Sequence, residues 1–292
     1  MNAQNIENTF NDSEENWTTV IRPQRPSWDF GLGELWQYRG LIILWVRREF
    51  VALYKQTILG PLWHVIPIVI SSGVFTLIFS NFAKISTDGT PPLLFYMAGN
   101  TLWVYFSNCL SATSTTFSVN AGIFGKVYFP RLAMPIAYIL SNLISFSVRF
   151  CVFLAFWAYF LIFESAIKPN LWMLLFPVLL LLVACIGLGL GILISALTTK
   201  YRDFQQLLGV GLQLGMYATP IIYPLSQVPE EFRWVLLLNP LTPILETFRF
   251  AFLGTSSINP FSLVYSAIFA FCALFIGIIF FNRAENTFLD TI

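Results

Sequence analysis

Apolar residues in this chain come in long uninterrupted runs. Six of them stand out: residues 62–82, 93–119, 132–163, 171–197, 204–223 and 261–281. A helix rises about 1.5 Å per residue, and roughly 20 apolar residues cross the hydrocarbon core of a bilayer. The pattern therefore predicts an all-α integral membrane protein with six transmembrane helices, occupying residues 61–285. Inside the runs the only charged or imidazole side chains are His64, at an edge, and Arg149.

Residues 33–60 follow a different rule. Leu35, Tyr38, Ile42, Trp45, Val46, Phe50 and Leu53 fall on one broad helical face, and Gln37, Arg47, Arg48 and Lys55 gather on another. An apolar face with Trp and Leu opposite a basic face predicts an amphipathic helix lying in the membrane surface. It turns at Gly60-Pro61 into the first span. Glu49 lands on the apolar side, where a lone carboxylate is costly; it either pairs with Arg48 or Arg39 or meets a protein partner. Ahead of this helix, residues 1–32 are polar and mixed in charge, with Pro23 and Pro26. This stretch is expected to be a disordered tail, and it lacks the early apolar core of a secretory signal.

Two shorter apolar stretches, 229–238 and 243–253, are split by Asn239-Pro240. Each reaches only about 15 Å, half a bilayer. They are read as a re-entrant helical pair, dipping in between the fifth and sixth spans. Irregular backbone at that depth needs protein or water around it. The alternative is a pair of surface helices outside the membrane.

Composition agrees with the membrane class. The chain is 57% apolar and 11% charged, against about 25% charged in a soluble domain. A net charge of +1 gives no case for nucleic acid. With the amino terminus inside, eleven Lys and Arg fall in inner segments (Arg22, Arg25, Arg39, Arg47, Arg48, Lys55, Lys126, Arg131, Lys200, Arg202, Arg283). Four fall outside: Lys84, Lys168, Arg233 and Arg249. The bias predicts cytoplasmic ends, residues 286–292 included, and an interface helix facing anionic inner lipid. The four cysteines, Cys109, Cys151, Cys185 and Cys272, lack metal or redox spacing and are read as small core residues.

The chemistry of an enzyme is missing. No G-x-x-x-x-G-K-[ST] occurs, and the sequence from Gly122 to Lys126 lacks both its spacing and its hydroxyl. No metal-ligand cluster and no carboxylate pair sits in a span, so no cofactor is expected on this chain. His64 reads as a satisfied interfacial imidazole. Arg149 follows Ser141, Asn142 and Ser145 in a polar stripe. It is either a hydrogen-bond hub between helices or a contact for an anionic or polyhydroxy substrate. Thr101, Asn108 and Thr115 form a second stripe, beside Ser107, Ser111 and Ser118. Phe95, Tyr96, Trp103, Tyr105 and Phe106 crowd the second run, and the first run adds Phe75, Phe79 and Phe82. Any one ring reads as lipid-facing, but the set suits a sugar chain, whose C–H faces stack on rings. Phe75, Phe79, Tyr96, Trp103, Phe106, Asn108 and Arg149 are therefore candidate substrate-lining residues. Gly187, Gly189, Gly191, Gly209, Gly211 and Gly215 include two G-x-x-x-G spacings, which permit close helix packing. The short loop 120–135 is either a plain inner turn or a helix docking into a partner.

Three segments taken together resemble a known family: RREFVALYKQTILGPLW (47–63), YATPIIYP (217–224) and NPLTPILETFRFAFLG (239–254). They are similar to the membrane subunit of polysaccharide ABC exporters of the O-antigen and teichoic-acid type, in the ABC-2 group, over about residues 33–285. The resemblance implies a homodimer driven by two copies of a separate ATPase subunit, which binds the ATP and Mg. It implies that Arg47, Arg48, Glu49 and Lys55 lie in an interface helix touching that ATPase. Gly122, Lys126 and Arg131 would belong to a coupling helix over 122–131. Pro229, Trp234, Asn239, Pro240, Glu246 and Arg249 would belong to a periplasmic re-entrant pair that narrows the outer mouth. The implied cargo is a glycan on undecaprenyl diphosphate, O-antigen first, carried through a wide aromatic-lined channel in the bacterial inner membrane. Competing expectations are a same-fold exporter of teichoic acid, capsule, drug or lipid, and a membrane transferase on polyprenyl lipids. The last would need inner-face carboxylates, and only Asp203 and Glu285 are offered.

Overall fold

A computed structural model describes residues 31–289 apart from 56, 61, 165–166, 202 and 256–259. The tail 1–30, with Arg22 and Arg25, and also Arg202 and residues 290–292 lie outside the described residues. All regular structure among the described residues is helical: α1 (Leu32–Gln37), α2 (Arg39–Tyr54), α3 (Leu62–Phe75), α4 (Pro92–Ser114), α5 (Thr116–Phe124), α6 (Ala133–Phe163), α7 (Phe176–Thr198), α8 (Asp203–Ala218), α9 (Glu230–Leu237), α10 (Leu241–Leu253) and α11 (Pro260–Leu289). A π-helical turn, Thr76–Phe82, continues α3, and a 3₁₀ turn, Leu171–Leu175, leads into α7.

Among the described residues, four helical stretches are long and apolar enough to cross a bilayer: Leu62–Phe82, Ala133–Phe163, Leu171–Thr198 and Pro260–Glu285. The α9–α10 pair, bent by 102°, makes a fifth if counted as one span. The second apolar run does not form one helix. Ser114, Thr115 and Thr116 all turn their hydroxyls back onto carbonyls three residues earlier. Such back-bonding competes with the helix ladder, and the chain breaks at Thr115 before α5. The fifth run yields only the 16 residues of α8, about 24 Å. The amphipathic stretch is also shorter than 33–60: it breaks at Tyr38 and ends at Tyr54, and Gly60 at φ +47° makes the turn toward α3.

The core is built around α7. Two glycines two residues apart on a helix point about 200° apart, so the α7 glycines serve opposite faces. Gly187 and Gly191 let α4 approach: a Cβ on Gly187 would lie 2.9 Å from Cys109 Cβ, and one on Gly191 would strike Thr113. Gly189 faces α11, where its would-be Cβ lies 2.5 Å from the Ala273 backbone, and Gly277 of α11 abuts Gly189 in return. In α8 the expected seam is different. Gly209 and Gly211 face open space, and only Gly215 meets a neighbour, the Trp103 ring. Cys109 is buried and Cys185 half-buried, but Cys151 and Cys272 are exposed, against the expectation of four core residues.

Candidate functional site

At one end of the bundle α1 and α2 are docked on protein. Leu35, Ile42 and Trp45 are buried against Phe117, Phe124, Phe129, Ala133, Met134 and Ala137, with Trp45 edge-on to Phe129 at 4.8 Å. The apolar stripe faces the bundle, and the open side carries Arg47 and Arg48 together with Ile43, Leu44 and Val51. Phe50 is also exposed. Glu49 is half-buried and pairs with Arg48 at 2.9 Å. Lys55 is exposed in the turn after α2.

The adjoining loop is only partly helical. The helix of α5 stops at Phe124, so Gly122 is in it while Lys126 and Arg131 are not. Gly125–Tyr128 stands out as an exposed turn. Arg131, by contrast, is buried. It donates from Nη1 to the Glu285 carbonyl at 3.0 Å, its Nε lies 3.6 Å from Glu285 Oε1, and its guanidinium sits over the Phe124 ring. Burial pulls its pKa down and Glu285 pushes it back up. Phe129 and Arg131 thus fasten the far end of the exposed turn to α2 and α11, and the buried Phe124 ring, against both of them, holds the near end.

At the other end α10 is almost wholly buried. A helix end in the interior must find partners for its last carbonyls, and here each has one. Trp157 Nε1 donates to Phe252 O at 2.8 Å. Asn170 donates from its side chain to Phe250 O and from its backbone to Ala251 O. The Lys168 backbone N–H donates to Leu253 O. Gly254, at φ +77°, closes the helix with a bond to Phe250 O in the left-handed conformation that favours glycine. Before the helix, Tyr265 donates to Leu238 O and Ser266 to Pro240 O, both from α11. Asn239 and Pro240 share a groove of about 230 Å³ with Trp103, Ile186 and Phe269, residues from the middles of three long helices. The α9–α10 connection therefore sits deep in the bundle. The two halves are unequal, however. α9 has no buried residue, with Trp234 and Pro229 exposed, and the pair meets nearer a right angle than a hairpin's reversal.

Arg249 is the largest fully buried side chain among the described residues, 1% exposed. Its Nη2 donates to Ile221 O at 2.8 Å, and its Nη1 donates to Pro220 O and lies 3.4 Å from Glu246 Oε1. The guanidinium stands 3.6 Å above the Phe95 ring, a contact worth about 2 kcal/mol when desolvated.

The candidate lining residues do not converge. Phe75, Phe79 and Tyr96 form one aromatic cluster between α3 and α4. Trp103 and Phe106 form another, 5.5 Å apart and buried. Asn108 is half-buried. Arg149 is buried in α6 with Ser141 and Ser145, within electrostatic reach of His64 and Cys109. The feature that sequence reasoning passed over is α8. It has no buried residue, and Gln205, Gln206, Gln213 and Tyr217 are all exposed on it. Two glutamines seven residues apart in an apolar run were the available signal.

No His, Cys, Asp and Glu group fit to hold a metal occurs among the described residues. Comparison with known proteins supplies the family. Residues 40–253 match the ABC-2 type transporter. An O-antigen export system permease protein of Klebsiella pneumoniae is 25% identical over 263 residues, 89% of this chain and 97% of its own length. One from Myxococcus xanthus is 29% identical, over 75% and 82% of the two chains. A polysialic acid transport protein of Escherichia coli is 26% identical, over 84% and 93%. With its buried half-helix and its set of long apolar helices, this chain belongs to the ABC-2 type transporter family.

Proposed function

We propose that this chain is the membrane subunit of an ABC exporter that carries polysaccharide across the bacterial inner membrane. The cargo of first choice is O-antigen linked to undecaprenyl diphosphate. The carrying observation is the family match, together with O-antigen export permeases that align over up to 97% of their own length. The polysialic acid relatives favour capsule as a second cargo.

On this reading six helices cross the membrane, with α4 and α8 joining the four long stretches. Most of α4 is buried inside the chain, so it needs no apolar face toward lipid and tolerates its asparagines and hydroxyls. Gln206 and Gln213 of α8 lie on an open side, and amide side chains avoid lipid. A second copy and a water-filled path would satisfy them. The excess of Lys and Arg in the segments read as inner supports cytoplasmic ends. The chain lacks a P-loop, so ATP and Mg would bind a separate ATPase, two copies per two permeases. Closure of those ATPases would push on the Gly125–Tyr128 turn and on α2. Because Phe129 and Arg131 fasten that turn to the bundle, the push reaches α6 and α11 instead of flexing a loop. A lipid-linked polymer is too long for a closed cavity, so a continuous path between two copies suits it better than alternating access.

Deleting the gene tests this. Lipid-linked glycan should accumulate at the cytoplasmic face, and re-expression should clear it; the identity of that glycan separates O-antigen from capsule. Normal surface glycan in the deletion strain would overturn the reading.

A further inference from the structure

α8 fully buries no residue, and only Leu208, Leu212, Met216 and Gly215 rest on the core. The turn that follows it is held twice by the α10 region. Asn239 Nδ2 donates to Thr219 Oγ1 at 2.8 Å, while Asn239 Oδ1 accepts from Leu241 N at the start of α10. Further along, Arg249 spreads its two terminal nitrogens over the carbonyls of Pro220 and Ile221. The other side of the guanidinium rests on α4. Phe95 lies beneath it, and Gly99 leaves room for it: a Cβ there would stand 2.9 Å from Arg249 Nη2, 3.0 Å from Ile221 Cγ2 and 3.3 Å from Ile221 Cα. Placing α10 alone does not need a cation in the interior, where desolvation opposes it. A planar fork is suited to gripping two adjacent carbonyls. Both terminal nitrogens of this buried arginine bond another segment's backbone, and among the described residues the only side chain they reach is Glu246, at a longer 3.4 Å.

We propose that Arg249 is a positioning residue: it clamps the turn after α8 to α10 and α4, and thereby fixes where the exposed face of α8 stands. The consequence for transport rests on the proposed function, in which that face borders the glycan path; the clamp itself does not.

The test uses the full chain in lipid nanodiscs, with the exposed Cys151 and Cys272 replaced by serine. A reporter cysteine, Ile222→Cys, sits in the buried turn, and a second, Ala251→Cys, sits in buried α10. Maleimide labelling rates are then compared. Arg249→Met and Gly99→Ala should each raise labelling at position 222 about tenfold or more and leave position 251 protected. Arg249→Lys, which keeps a charge for Glu246 but loses the fork, should also open the turn. Glu246→Gln, which keeps the fork, should not. Protection at 222 in both Arg249→Met and Gly99→Ala overturns the clamp. So does joint opening of both reporters, which would make Arg249 a general stabiliser, and so does full protection by lysine, which would reduce it to an ion pair. Transport in cells is scored separately. An opened turn with glycan export intact would support the clamp and overturn the path along α8.

Discussion

Single residues show how far local chemistry can be read. Arg149 is conspicuous in sequence because an apolar run of more than 30 residues contains one charge. The structure buries it with Ser141 and Ser145, on the side of α6 near His64 and Cys109. That is the interior of one chain and not the open side of α8, which favours a hydrogen-bond hub over a substrate contact. Arg149→Leu should then strand the groups it serves, at a cost of about 1–3 kcal/mol. It should lower the unfolding temperature of the purified chain and the amount assembled, with export per assembled molecule kept. Lost export at an unchanged unfolding temperature would hand the residue to the substrate. Arg131 and Arg249 were less legible. Their partners, Glu285 and the Pro220–Ile221 carbonyls, lie 154 and 28 or more residues away. No helical spacing or charge count reports contacts at that separation. Glu49, whose partner Arg48 is its neighbour in sequence, was within reach of such reasoning.

Helices were legible where one property runs unbroken, and opaque where two compete. The long apolar runs of α3, α6, α7 and α11 are visible because burial or lipid suits every turn of them. The break at Thr115 was hidden, because hydroxyls that turn back onto the backbone leave hydropathy unchanged. The glycine spacing of α7 announced close packing without naming a neighbour, and the same spacing in α8 faces mostly open space. The half-bilayer length of α10 was readable from its residues, but not how its last carbonyls are paired. That pairing is what lets a 13-residue helix stop inside the bundle. Trp157→Phe isolates the point, since it keeps the ring contact with Phe252 and removes only the N–H that serves Phe252 O. It should destabilise the chain by about 1–3 kcal/mol, read as a lowered thermal midpoint in detergent. A midpoint equal to the parent's would show that water or another donor already serves that carbonyl.

The whole molecule is lopsided. Half of the Leu171–Thr198 window is buried, against 11% of Leu62–Phe82 and no residue of α8. Lipid can cover the leucines of these outer helices at no cost, but it gives Gln206 and Gln213 nothing to bond to. Water or a second chain is the physical remedy, and a homodimer with a wet centre offers both. If two copies meet across α8, cysteines placed there should find each other. With Cys151 and Cys272 replaced, Leu214→Cys should give a disulfide-linked dimer under mild oxidation in native membranes. Leu181→Cys, equally exposed on α7, should stay monomeric because it faces lipid. The same complex purified with its ATPase should contain two chains of each kind. A crosslink at position 181 and none at 214 would move the seam to the other side of the molecule and leave the glutamines of α8 to water alone. A complex with one copy of this chain would remove the central path altogether.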